Sequence, residues 1–192
     1  VQEVVENSLS TLLQKQVEIV SAGRTDSGVH AKQIFSHFDS EVVLDNNFVF
    51  RLNSLLPNDI AALGLLEVKP DAHARFDAVT RSYEYHIVST RNVFAIDTAF
   101  YVQKELNIEK MEAAAKILLE YRDFKCFSNS RTDVSTCTFD IQHAFWDTTS
   151  KGSCSHIQAD RSVRNIVRAL VAILRYVRLW MMELQELHEF IK

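Results

Sequence analysis

The stretch Gly23-Arg24-Thr25-Asp26-Ser27-Gly28-Val29-His30 decides how this chain is read. It holds two of the 4 glycines in the whole sequence. Average usage is about 7%, so glycine this scarce marks positions where a side chain is not accommodated. Glycine permits positive φ and close backbone approach, so the segment reads as a tight loop that holds Asp26 in a fixed direction between two strands. A second reading stays open: Asp26 caps the turn through an Asx hydrogen bond, with Arg24 a solvated neighbour. A phosphoryl-transfer loop would need a Gly-Lys-Ser/Thr and a second acidic motif for magnesium, and neither follows.

Working outward, Val1, Val5, Leu9, Leu12 and Leu13 fall at helical spacing before the loop. Val17 to Val20 leads into it as a short apolar run. Beyond it, Ala31 to Phe38 alternates as a strand does. Asn46 or Asn47 caps a helix with Phe48, Leu52, Leu55 and Leu56 on one face, and Pro57 ends it. Ile60 to Val68 and Arg81 to Ser89 read as strands. Asn107 caps a helix whose buried stripe is Ile108, Met111, Ala115 and Leu118. Thr138 to Trp146 and Ser153 to Ala159 read as strands. From Asp160 onward the pattern is helical to the end, with a break expected near Tyr176 to Leu179.

This order has few βαβ units and predicts an α+β fold with a mainly antiparallel central sheet flanked by helices. The second half loosely repeats the first. The expected organisation is an N-terminal half, residues 1–100, with the glycine loop, and a C-terminal half, residues 101–192, with a basic helix. The two are expected to share one continuous sheet that is incomplete at both ends.

The 192 residues are 47% apolar and 24% charged, ordinary for a globular domain and against extended disorder. A charge interrupts every long apolar stretch, so no bilayer span is expected. Val1 opens directly into the helical pattern, so no secretory signal is expected. Cys126, Cys137 and Cys154 are odd in number and lack Cys-x-x-Cys spacing. They read as free thiols in a reducing, cytoplasmic setting, not as a disulfide framework or zinc site. The net charge of −4 does not exclude a nucleic-acid partner, because phosphate responds to the local density of Lys and Arg.

Gly-Arg-Thr-Asp-Ser-Gly-Val-His-Ala at 23–31 resembles the signature of the tRNA pseudouridine synthases that act on the anticodon stem-loop, the TruA family. The resemblance begins at Val1-Gln2 and continues through Asn53-Ser54-Leu55-Leu56-Pro57-Asn58-Asp59-Ile60 and His73-Ala74-Arg75-Phe76. It extends to Arg81-Ser82-Tyr83-Glu84-Tyr85, to Asp123-Phe124 with Phe127, and to Ala159-Asp160-Arg161 with Val167-Arg168. Matches in one order along nearly the whole chain are far more specific than a single loop.

The resemblance implies a pseudouridine synthase fold and isomerisation of uridine to pseudouridine at positions 38–40 of the tRNA anticodon stem-loop. It implies no metal or organic cofactor, and a homodimer. Asp26 matches the family's catalytic aspartate, acting as a nucleophile or stabilising positive charge on the sugar. Arg168 matches its basic partner. At about 4 Å such an arginine favours the carboxylate by up to ~4 kcal/mol at an effective dielectric near 20, before desolvation. Tyr83 matches the family's active-site tyrosine, placed to stack on a flipped base near the departing C5 proton. Tyr85 shares its strand face and reads as a core aromatic.

Arg24 is placed to reach the RNA backbone or to hold the base-flipped conformation. Arg161, Arg164 and Arg168 are spaced by three and four, so they line one face of a helix. Their alternative is a solvated helix face. His30 belongs to the signature, with loop packing as its alternative role. The other histidines lack ligand spacing.

The family usually has a strand and a Tyr-Asp-Gly-Thr loop before the first helix, and a further strand at its end. It also has phenylalanine at Ser162, glycine at Ala172, and a glycine-containing turn at 176–179. The expectation is therefore an incomplete record of a longer chain, with a divergent, shortened homologue as the alternative. The alternative function is a catalytically inactive RNA-binding relative of the same fold. A phosphohydrolase using Asp26 is the weaker third.

Overall fold

The computed structural model describes residues 1–23, 25, 27–103, 106–124, 138–149, 152–160 and 184–191. They fall into two compact units, one of Val1–Arg24 with Ala31–Ala78, the other of Thr25–His30 with Val79–Lys192. The architecture is α+β, as the element pattern predicts. Among the described residues, no helix is long and apolar enough to cross a membrane.

The first unit packs helix α1 (Gln2–Leu13) against helix α2 (Phe48–Leu55) and carries a short antiparallel pair, β1 (Val20–Ser21) and β2 (Ser36–His37). Leu9, Val17, Ile19, Phe48, Leu52 and Leu56 form its core. Helix α1 ends in a left-handed residue, Gln14, at φ 51°. The Glu6 carboxylate anchors the helix to the following segment. It accepts from the Gln2 amide at 2.8 Å and from the Ile19 backbone N–H at 3.0 Å. Those two hydrogen bonds, Gln2 first, hold the Glu6 carboxyl below the ordinary glutamate range.

Two expected strands in this unit are corrected. Of Ala31–Phe38, only Ser36–His37 pairs, because β1 offers a ladder of two residues. Ile60–Val68 forms no strand. The Asn53 side-chain amide takes both backbone groups of Ala62, donating to its carbonyl at 2.9 Å and accepting from its N–H at 2.7 Å. Those groups are thereby lost to a ladder, and Leu63 and Leu66 stand exposed. Asn47 occupies the cap position of α2 as expected, but its side chain makes no capping bond. Asp45 takes that part, accepting from the Asn47 N–H at 3.0 Å and pairing with Arg51 at 3.1 Å.

The second unit is built on a four-stranded sheet in the order β4-β3-β6-β5. Its strands are β3 (Arg81–Val88), β4 (Phe100–Tyr101), β5 (Ile141–Thr149) and β6 (Gly152–Ala159). Strand β6 pairs antiparallel with both β3 and β5, whereas β4 adds to β3 in parallel. Helices α3 (Ile108–Leu118) and α4 (Leu184–Ile191) supply Met111, Leu118, Leu187 and Ile191 to a core shared with Ile87, Phe124, Trp146 and Ile157.

The α3 reading holds for its cap and most of its stripe: the Asn107 side chain accepts from the Lys110 N–H at 2.9 Å, and Met111, Ala115 and Leu118 are buried, whereas Ile108 in the first turn is only half-buried. Phe124 and Phe139 stack at 4.5 Å, and full burial of each contributes about 1.5–3 kcal/mol. The expected helix break at 176–179 lies outside the described residues.

Candidate active site

The glycine loop springs from β1 and returns through β2. Val20 pairs with His37 and Ser21 with Ser36, and the Ala22 N–H donates to the Phe35 carbonyl at 2.8 Å. The Ser21 and Ser36 hydroxyls lie 2.7 Å apart across the same ladder. Both arms of the loop are therefore fixed at their root by backbone pairing.

Gly28 adopts φ +76°, the left-handed region that glycine enters without a Cβ penalty. A Cβ built there meets nothing within 4 Å, so the demand is conformational and not steric. His30 is exposed, and its Nε2 lies 3.1 Å from the Asp97 carbonyl oxygen. That contact matches the loop-packing role.

Of the residues expected to do chemistry, Asp26, Arg24, Arg161, Arg164 and Arg168 lie outside the described residues. Tyr83 is described. It sits half-buried on β3, directly opposite Ile157 of β6. Strand alternation puts it on the face of Tyr85 and Ile87. Tyr85 packs against the core, its ring 6.5 Å from that of Phe100, as its core reading requires.

The end of β3 that carries Tyr83 joins the end of β6 that leads into Asp160. Arg81 pairs with Ala159, and its Nη1 donates to the Asp160 carbonyl at 3.2 Å. Asp160 also exchanges bonds with Asp140. The Asp160 N–H donates to the Asp140 carbonyl at 3.2 Å, and the Asp140 N–H donates to Asp160 Oδ1 at 3.0 Å. Arg122 closes the group at 2.8 Å from Asp140. Two of the segments that carry the family resemblance, Arg81–Tyr85 and Ala159-Asp160, are thus adjacent in the folded chain.

The His73–Phe76 segment forms a turn. Asp77 Oδ2 accepts from the His73 N–H at 2.7 Å, and His37 Nδ1 accepts from the Ala74 N–H at 3.0 Å. The His73 and Phe76 rings stack at 4.1 Å, and the Arg75 guanidinium lies 5.9 Å from the Phe76 ring centre. Sequence reasoning missed His37, Asp77 and Arg81 as organisers of these segments. His37 and Arg81 act on backbone brought close by folding, which no local spacing announces, whereas Asp77 closes a turn onto His73 four residues before it.

An open groove of about 470 Å³ runs between α1 and residues 16–20 and contains none of the expected site residues.

No family model matches the chain. Curated relatives do. The tRNA pseudouridine synthase A of Bacteroides thetaiotaomicron is 46% identical over 179 residues, which is 91% of this chain and 66% of that protein. The protein of the same name from Bacteroides fragilis is 44% identical over 177 residues, 91% of this chain and 70% of the relative. That from Parabacteroides distasonis is 42% identical over 177 residues, with the same coverage. The chain spans about two thirds of the length of these relatives. Identity at this level across nine-tenths of the sequence, joined to an α+β architecture, places the chain in the tRNA pseudouridine synthase A family of isomerases.

Proposed function

We propose that this protein isomerises uridine to pseudouridine in tRNA, at positions 38–40 of the anticodon stem-loop. Asp26 is the catalytic carboxylate, Arg168 its charge partner, and Tyr83 the aromatic that meets the flipped base. The observation that carries this reading is the 42–46% identity to proteins named tRNA pseudouridine synthase A over 91% of the chain.

The chemistry follows from the residue types. The N1 glycosidic bond breaks, the base rotates, and C5 bonds to the ribose while its proton leaves. A carboxylate ionised at neutral pH, held by a loop with a fixed root, serves as nucleophile or as counter-charge to the sugar. The target nucleotide must leave its stack to be reached, and an aromatic beside it offsets part of the unstacking cost. Arg24, Arg161 and Arg164 contact phosphates, which supply affinity without reading sequence. The reaction needs no cofactor, and the protein works as a cytoplasmic homodimer.

The test is an unmodified tRNA transcript incubated with the protein and read for pseudouridine by carbodiimide-dependent primer extension. Stops at positions 38–40 are expected. Asp26→Asn, which removes charge and keeps shape, is expected to abolish them while RNA binding persists. A variant that retains a near-normal rate removes Asp26 from the chemistry. Binding without product in the unaltered protein favours the inactive RNA-binding relative.

A further inference from the structure

The solvent-facing side of the four-stranded sheet brings a distant cysteine, Cys154, to two metal-ligating side chains spaced two apart on β3, Glu84 and His86. Glu84 and His86 alternate onto this side of β3, opposite to Tyr83, Tyr85 and Ile87. In the antiparallel ladder His86 stands directly opposite Cys154 of β6, and Glu84 opposite His156. The donor atoms of Glu84, His86 and Cys154 all lie within 4.8 Å of one another. His86 Nε2 is 3.1 Å from Glu84 Oε2, and Cys154 Sγ is 4.0 Å from His86 Nε2. We propose that Glu84, His86 and Cys154 form a binding site for a single divalent cation of the zinc class.

The spacing fits the ion. Zinc bonds of about 2.0–2.3 Å to oxygen, nitrogen and sulfur span a tetrahedron with edges of roughly 3.3–3.6 Å. The His86–Glu84 and Cys154–His86 separations of 3.1 and 4.0 Å bracket that length, so small rotations about the side-chain bonds close the site. The donor set is equally selective. A thiolate and an imidazole beside one carboxylate suit a borderline-soft ion, whereas magnesium and calcium require oxygen donors throughout. Three protein ligands leave the fourth position to water. Glu84 and His86 side chains are 31% and 45% exposed, so an ion reaches them from solvent. Binding replaces the thiol proton of Cys154, which leaves to solvent.

The surroundings hold the ligands in place. His86 and Cys154 sit on paired strands, so their backbones are fixed by the ladder. His156 stacks on Phe145 at 4.7 Å with the rings 10° apart, which orients the neighbour opposite Glu84. Asp147 of β5 stands opposite Cys154 in the ladder on its other side, so Cys154 is held between two paired strands. A bound ion joins β3 to β6 through side chains as well as through backbone.

The experiment titrates the full chain with cobalt(II), whose thiolate-to-metal charge-transfer band and tetrahedral d–d absorption report sulfur ligation, and then displaces it with zinc. One equivalent is expected, with the band intact in a Cys126→Ser/Cys137→Ser variant and absent in Cys154→Ser. His86→Ala, at an exposed position, is expected to weaken zinc binding at least about tenfold. Circular dichroism confirms that each variant keeps its fold. Absence of the band in the unaltered chain, its survival in Cys154→Ser, or its loss in the Cys126/Cys137 variant overturns the site. The readout is binding alone, so it is independent of whether pseudouridine is formed.

Discussion

The Arg81 guanidinium donates to the Asp160 carbonyl at 3.2 Å, tying the first residue of β3 to the residue that follows β6. This bond holds together the strand ends that carry Tyr83 and lead into the basic run of the sequence. Arg81→Met keeps much of the aliphatic stem and removes the charged donor. A hydrogen bond from a charged group contributes about 1.5–3 kcal/mol, and a loss near the lower end is expected at this half-buried position. A lowered urea midpoint at unchanged slope is the measurement; an unaltered midpoint assigns the bond no stabilising role.

Tyr83 separates two contributions that the proposed reaction combines, a ring that stacks and a hydroxyl near the C5 proton. Tyr83→Phe retains the ring, so stability within about 1 kcal/mol of the parent is expected. Turnover falls by about 10²-fold or more if the hydroxyl takes part in proton transfer. Rate measurements with saturating tRNA distinguish this from weakened binding. Parental turnover in the phenylalanine variant would leave only the ring in play.

Gly152 opens β6 at φ +152°, where it pairs with Thr149. A Cβ at this position would fall against the Ile87 carbonyl oxygen and 3.2 Å from the Val88 Cα, both backbone atoms of β3. Neither can retreat without disturbing the ladder, so Gly152→Ala is expected to destabilise by about 2–3 kcal/mol. Thermal unfolding checks it. Gly28→Ala makes a useful contrast, since open space surrounds that site and only the φ of +76° resists.

Glu6 predicts an acid sensitivity. Its folded carboxyl is lowered by the Gln2 amide and the Ile19 N–H, so it binds its proton more weakly in the folded than in the unfolded chain. The stabilisation is therefore present above the unfolded value and is lost as pH falls through the folded one. Glu6→Gln keeps an acceptor and removes the charge. The melting temperature of the parent is expected to exceed that of the variant near neutrality. The two should converge as the pH falls through the lowered folded value, where Glu6 takes up its proton. Parallel curves across that range would remove Glu6 as the cause.

Much of the local structure was legible in the sequence. Helix α3 was bounded by Asn107 and by its 3–4 spacing, and both signals act within one turn of the chain. Strand β6 lies where the sequence reading placed it, and β5 runs about three residues later than the expected Thr138 to Trp146. Gly28 announced a positive φ by its residue type alone. The failures share a cause: Ile60–Val68 has the composition of a strand, but a strand also needs a partner, and Asn53 had already taken the backbone groups of Ala62.

The sequence by itself determined the family, the glycine loop and the identity of the carboxylate proposed to act. Those rest on residue types in fixed order, which survive without knowledge of the fold. Tertiary structure alone decided that Arg81 reaches Asp160 and that β4 joins β3 in parallel. It alone set Cys154 opposite His86, although cysteine and histidine spacing had pointed away from any metal site. Antiparallel register is the physical reason. It depends on which distant strands bury their apolar faces together, and no window of neighbouring residues contains that choice.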